Sequence, residues 1–238
     1  MRLPEVIALG PLRLDAVLLA ALIAGAAGFL AFKIRLRRLA GSEQSEQSKQ
    51  SKQAELWERL YVNTAIITLL CWKLLFLLRA PSMLWERPSS LVIVRGSGFD
   101  ALIGLAAAII YVAYVRYRTR IAGLLMLDMW PFAILPACLV WTLLTNVPYG
   151  LGYTVLYAIL YVVLLRVDAE AGSGRFASIA LLGSGIGGLL VSLFAPYPPG
   201  VVPSLTFGLT SLQWLFIGAG LVGSLLPVKD KETESRAY

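Results

Sequence analysis

Seven apolar stretches run through this chain, at roughly 15–32, 60–78, 98–115, 122–144, 151–165, 177–194 and 207–226, and the loops between them alternate between rich and poor in Lys and Arg. A helix needs about 20 apolar residues to cross a hydrocarbon core. The pattern therefore predicts an all-α, polytopic membrane protein with about seven transmembrane helices. The balance of 58% hydrophobic against 15% charged residues, far from that of a soluble domain, agrees. No alternating strand pattern supports a barrel. A single transmembrane domain is expected over 1–230, with a cytoplasmic linker at about 39–56 and a polar cytoplasmic tail at 231–238.

The first stretch follows a mixed-charge leader (Arg2, Glu5, Arg13, Asp15) and is followed by Lys33, Arg35, Arg37 and Arg38. A cleaved signal carries its positive charge in front of the apolar run, so this segment is expected to be retained.

Orientation follows from the loops. One side holds Lys33, Arg35, Arg37, Arg38, Lys49, Lys52 and Arg59, then Arg116, Arg118 and Arg120, then Arg166 and Arg175, then Lys229, Lys231 and Arg236. The other holds Arg2, Arg13, Arg79, Arg87 and Arg95. The N-terminus is expected outside and the C-terminus in the cytoplasm. The net charge of +7 then needs no nucleic-acid partner, since basic cytoplasmic loops account for it.

Two segments carry no chemistry. From Ser42 the residues read Ser-Glu-Gln twice and then Ser-Lys-Gln twice, with nothing apolar to bury. They suit a solvated linker or an extension of the flanking helix. Ala195 to Pro203, with Pro196, Pro198, Pro199 and Pro203, breaks helix and reads as an external loop.

The chain has no His, which removes Ser-His-Asp and Cys-His catalysis and imidazole metal sites. No metal site and no cofactor is expected. Cys71 and Cys138 both fall inside apolar spans and read as small packing residues. Gly183-Ser184-Gly185-Ile186-Gly187-Gly188 matches the dinucleotide fingerprint, but that pattern has meaning only between a strand and a helix. Inside an apolar span it predicts close helix packing. Trp57, Tyr61, Trp85, Tyr114, Tyr117 and Tyr149 stand near span ends, where aromatic belts form.

Charged residues within a membrane are costly and mark sites or paired partners. Asp15, Lys73, Asp100 and Asp128 stand out. The expected topology brings Asp15, Lys73 and Asp100 to one depth near the outer face, where Lys73 can meet either carboxylate, while Asp128 starts the fourth span from the cytoplasmic side. Simpler readings stand beside these. Asp100, after Gly96-Ser97-Gly98, and Asp15 each suit a helix N-cap. Lys73 can snorkel to the interface. Arg79, Arg87 and Arg95 suit lipid phosphates or ordinary interfacial anchoring.

Several segments together resemble the prolipoprotein diacylglyceryl transferases, bacterial inner-membrane enzymes that move a diacylglyceryl group from phosphatidylglycerol to a lipoprotein cysteine. Ile7-Ala8-Leu9-Gly10-Pro11-Leu12-Arg13-Leu14 is similar to the family's opening segment. Trp72-Lys73-Leu74-Leu75 stands where the family has a basic residue in its second span. Gly98-Phe99-Asp100-Ala101-Leu102-Ile103-Gly104 resembles the Ser-Phe-His-Gly-Gly-Leu-Ile-Gly box, and Leu127-Asp128-Met129-Trp130-Pro131 the Asp-x-x-x-Pro stretch. Tyr149-Gly150-Leu151-Gly152-Tyr153 and Thr210-Ser211-Leu212-Gln213-Trp214 look like later segments. The family's box histidine falls on Asp100. Its Gly-Arg-x-Gly-Asn-Phe-x-Asn-x-Glu signature is absent between Val140 and Tyr149.

The resemblance implies a multi-pass protein of a bacterial inner membrane that handles phospholipid of the phosphatidylglycerol type, or a lipoprotein precursor. It implies Asp100 and Lys73 as the catalytic candidates, with Asp15, Arg79, Arg95 and Asp128 toward the lipid. Activating a thiol and stabilising a phosphate leaving group needs a base and cations at the reaction centre, and this chain keeps the shell without most of those groups. A non-catalytic lipid-binding or accessory protein is the alternative. A small transporter relaying through Asp15, Lys73 and Asp100 is a third reading, though no inverted repeat supports it.

Overall fold

A computed structural model describes residues 6–9, 12–40, 47–78, 81, 82, 85, 96–195 and 204–228. About 81% of it is helical, and five helices are long and apolar enough to cross a membrane: Ala16–Arg38, Gln53–Leu78, Gly98–Thr119, Gly123–Thr145 and Arg175–Phe194. Two further apolar helices, Leu151–Arg166 and Ser211–Leu225, are shorter. The described residues fall into two compact units, one within Leu3–Arg120 and one within Ile121–Tyr238.

The first unit opens with an antiparallel hairpin, β1 (Val6–Leu9) and β2 (Leu12–Asp15), whose register pairs Val6 with Asp15. It leads directly into α1 (Ala16–Ala40), followed by α2 (Gln47–Leu74), a 3-10 turn (Leu75–Leu78) and α3 (Gly98–Thr119). Ala16, Ala20 and Ala24 repeat every four residues and are buried, as are Phe32 and Leu36 further along. That spacing puts small side chains on one helical face and lets the helices approach closely. Trp57 and Tyr61, whose positions in the sequence suit the aromatic belt, instead pack on this face. Phe32 meets the Trp57 ring edge-on at 6.2 Å and stacks on Tyr61 at 5.9 Å, and the Tyr61 hydroxyl donates to the Gly25 carbonyl at 2.9 Å. Trp85, Tyr114 and Tyr117 are exposed.

Lys33 pairs with Glu58 at 3.1 Å, so α1 and α2 run antiparallel. The later Ser-Lys-Gln triplets, at Ser48 to Gln53, form the first turns of α2, the helix-extension alternative of the two the repeat allowed. α3 packs on α2 through Gly104, where a Cβ would stand 2.8 Å from the Thr68 carbonyl oxygen and 3.0 Å from Cys71 Cβ. Thr64 and Thr68 donate to carbonyls one turn back, which satisfies their hydroxyls inside an apolar helix.

The second unit begins with α4 (Gly123–Met129) and α5 (Pro131–Thr145), separated at Trp130 because Pro131 lacks an amide proton and restarts the helix in its first turn. Then come α6 (Leu151–Arg166), α7 (Arg175–Phe194), the short hairpin β3 (Leu205–Thr206) and β4 (Leu209–Thr210), and α8 (Ser211–Leu225). The last apolar stretch therefore splits into a hairpin and a helix instead of forming one continuous span. Phe132 and Phe176, both fully buried, meet edge to face at 5.2 Å.

The glycines of 183–188 pack helices, as the sequence predicts. A Cβ at Gly183 or Gly187 would collide with Leu160 or Leu156 of α6, while one at Gly185 would lie 2.5 Å from the Gly220 amide of α8. At Gly188 it would enter the Phe216 ring. One helix thus seats two neighbours on its two glycine faces. Polar side chains tie the α7–α8 seam at both ends. Ser178 Oγ donates to the Gly223 carbonyl at 2.9 Å, and Gln213 Nε2 donates to Ser192 Oγ at 3.2 Å.

Candidate functional site

Asp15 is the residue at which the N-terminal hairpin becomes α1. Its Oδ1 accepts the Val17 amide at 2.9 Å, which caps the helix. The side chain is 96% buried, and its other oxygen, Oδ2, is buried with no hydrogen-bond partner among the described residues. An unsatisfied carboxylate oxygen away from water is expensive. Two features offset that cost: the positive end of the α1 dipole and an electrostatic interaction with Lys73 in the last turn of α2.

Lys73 is half-buried and lies within the apolar Gln53–Leu78 helix. The preceding residue, Trp72, donates from its indole Nε1 to the Gly96 carbonyl at 3.1 Å, and a Cβ on Gly96 would overlap the Trp72 carbonyl. Only glycine fits there. The start of α3 is thereby pinned against the end of α2, beside Lys73. The N-termini of α1 and α3 and the C-terminus of α2 consequently share one end of the first unit, where Lys73 stands with the carboxylates that cap the two N-termini. Asp15, Lys73 and Asp100 therefore occur at one end of the unit.

Asp100 is fully buried and takes part in a capping box. Its Oδ2 accepts from the Ser97 amide at 2.7 Å and from Ser97 Oγ at 2.9 Å, and its own amide donates back to Ser97 Oγ at 3.3 Å. The capping reading of the sequence is the one these contacts describe.

Asp128 belongs to the other unit and is also fully buried. Its Oδ2 accepts the amides of Gly172 and Gly174 at 2.9 and 2.8 Å, and its Oδ1 accepts that of Ala177 at 2.9 Å. It holds the loop before α7 and the first turn of that helix, acting as a cap supplied from a distant part of the chain. Gly172 and Gly174 adopt φ values of 96° and 82°, which is why glycine flanks Ser173. Arg79 and Arg95 lie outside the described residues.

One further feature leaves no mark in the residue pattern. In the second unit a cavity of about 400 Å³ is lined by Pro148, Tyr149, Leu151, Gly152, Val191 and Phe194, among others, and its wall is almost wholly apolar. At its edge Gly152 lets α6 approach α7 closely, since a Cβ there would come within 2.8 Å of Val191 Cγ1. Comparisons of the chain with family models, curated proteins and solved structures found no match.

Proposed function

We propose that this chain is a lipid-handling membrane protein related to the prolipoprotein diacylglyceryl transferases, crossing the bilayer seven times with its N-terminus outside and its C-terminus in the cytoplasm. The ordered sequence resemblance and the uneven distribution of loop cations support that reading. Its ligand is a phospholipid of the phosphatidylglycerol type. One observation carries the ligand assignment: a buried carboxylate oxygen of Asp15, without a hydrogen-bond donor among the described residues, stands in the electrostatic field of Lys73, a cation within an apolar helix. A headgroup with a phosphate and a free hydroxyl suits both, the phosphate taking Lys73 and the hydroxyl donating to Asp15 Oδ2.

Transfer of a diacylglyceryl group would need a base near the incoming thiol. Asp100 is the candidate on sequence grounds, and its engagement with Ser97 favours the second reading, a non-catalytic lipid-binding or accessory protein. Two measurements separate the readings. Complementation of a bacterial strain depleted of its own transferase tests catalysis, with membrane expression checked in parallel. Phospholipid analysis of the purified protein tests binding. Growth supports the enzyme, lipid retention without growth supports the accessory role, and neither result would end both.

A further inference from the structure

We infer that the Leu205–Thr210 hairpin inserts into the margin of the bilayer and completes the crossing that α8 is too short to make, with Phe207 as its membrane-embedded tip. The inference requires only that α8 lies in a bilayer and does not rest on the lipid-handling reading.

The length of α8 sets the problem. Its 15 residues rise about 22 Å, whereas the hydrocarbon core is about 30 Å thick. The missing length does not come from the C-terminal end. There the Pro227 carbonyl oxygen is fixed against the loop before α7, only 2.6 Å from where a Gly174 Cβ would stand, and Lys229 follows soon after. It has to come from the hairpin.

The base of the hairpin is held by its own pairing. Leu205 pairs with Thr210 and Thr206 with Leu209. The first turn of α8 is closed by a capping box, in which Gln213 Oε1 accepts the Thr210 amide at 2.9 Å and Thr210 Oγ1 accepts the Gln213 amide at 3.3 Å. Trp214 Nε1 donates to the Thr206 carbonyl at 3.0 Å and fastens the hairpin to that turn. The remaining polar groups of the turn, at Phe207 and Gly208, can bond interfacial water and lipid headgroups, which fits the margin of a bilayer and not its centre.

Phe207 shows where the hairpin points. It sits at φ 53°, a left-handed conformation that suits Gly or Asn and is costly for a bulky side chain. Its ring is 93% exposed, and a Cβ on neighbouring Gly208 would meet nothing within 4 Å. Nothing in the described chain holds the ring, and nothing in water would offset its strain. Burial of the ring in acyl chains would offset it. Leu205 and Trp214 are exposed beside it. Phe194, 84% exposed, lies at the same end of the α7–α8 pair, because Gln213 is tied to Ser192. This grouping is that of an interfacial anchor.

Site-directed spin labelling of the full chain tests the inference, in a Cys71→Ser, Cys138→Ser background reconstituted into phosphatidylethanolamine–phosphatidylglycerol vesicles. A nitroxide on Leu205→Cys, with Phe207 intact, should collide more with dissolved oxygen than with a water-soluble nickel chelate, matching one on Leu215→Cys and unlike one on Ser235→Cys. Dominant nickel collisions would place the tip in water and overturn the inference. Protection from both reagents would mean that protein covers the tip, and would overturn it equally. The same label at Leu205→Cys is then read with Phe207→Asn, a residue the turn accommodates. The oxygen-to-nickel ratio at 205 should then fall several-fold, and an unchanged ratio would refute Phe207 as the anchor.

Discussion

Oδ2 of Asp128 accepts the backbone amide of Gly174 at 2.8 Å, although 46 residues separate the two. With the Gly172 and Ala177 amides on the same carboxylate, one side chain fixes both the loop preceding α7 and the start of that helix. A carboxylate suits this place because it accepts from three donors at once and faces the positive end of the α7 dipole.

Asp128→Ala should leave three amides without their acceptor and cost about 3–5 kcal/mol, because a buried charge network is being broken. Asp128→Asn keeps one carbonyl oxygen but turns an amino group toward donors, so it should lie between the two. Thermal unfolding in detergent reads both. A melting temperature unchanged in Asp128→Ala would show that the loop does not depend on this residue.

Glycines on the two helices of the α7–α8 pair predict opposite effects for similar substitutions. Gly185→Ala should destabilise by about 1–3 kcal/mol, since its Cβ meets the Gly220 backbone, which cannot step aside. Gly218→Ala on α8 has nothing within 4 Å and should be neutral or stabilising by up to about 1 kcal/mol. Equal effects in a paired melting experiment would contradict the packing described for this seam.

Much of this architecture is legible in the sequence, and the exceptions have physical causes. Each apolar stretch contains a helix, because length and hydropathy suffice to specify one in lipid. The glycine run reads correctly as a packing face because no strand precedes it. The contacts of Asp128 are not legible. Its partners are backbone amides far along the chain, and amides leave no mark in a sequence beyond the glycines at 172 and 174. The packing of Trp57 and Tyr61 is hidden for a similar reason, since closeness to a span end does not say which way a ring faces. The Asp15–Lys73 relationship is visible from topology alone, while the burial of Asp15 Oδ2 is not.

Asp100→Asn and Ser97→Ala should each weaken the α3 cap by about 1 kcal/mol and leave phospholipid retention unchanged. Lipid analysis after identical purification checks this. Loss of lipid from a well-folded Asp100→Asn protein would move Asp100 from the helix cap into the ligand site.

Asp15→Asn should preserve the cap, because Asn is as good an N-cap as Asp. It replaces the carboxylate proposed to meet the headgroup hydroxyl, so the preference for phosphatidylglycerol over phosphatidic acid should fall about tenfold, the equivalent of about 1.4 kcal/mol. Competition between the two lipids in detergent measures it. An unaltered preference would remove Asp15 from headgroup recognition.

Native mass spectrometry of the protein released from gently solubilised bacterial membranes tests the lipid site most directly, with Lys73→Gln prepared in parallel. The expected spectrum shows wild-type protein carrying phosphatidylglycerol-type lipid and Lys73→Gln losing most of it while remaining folded. Lipid-free wild-type protein, or equal lipid retention by both, would contradict the account.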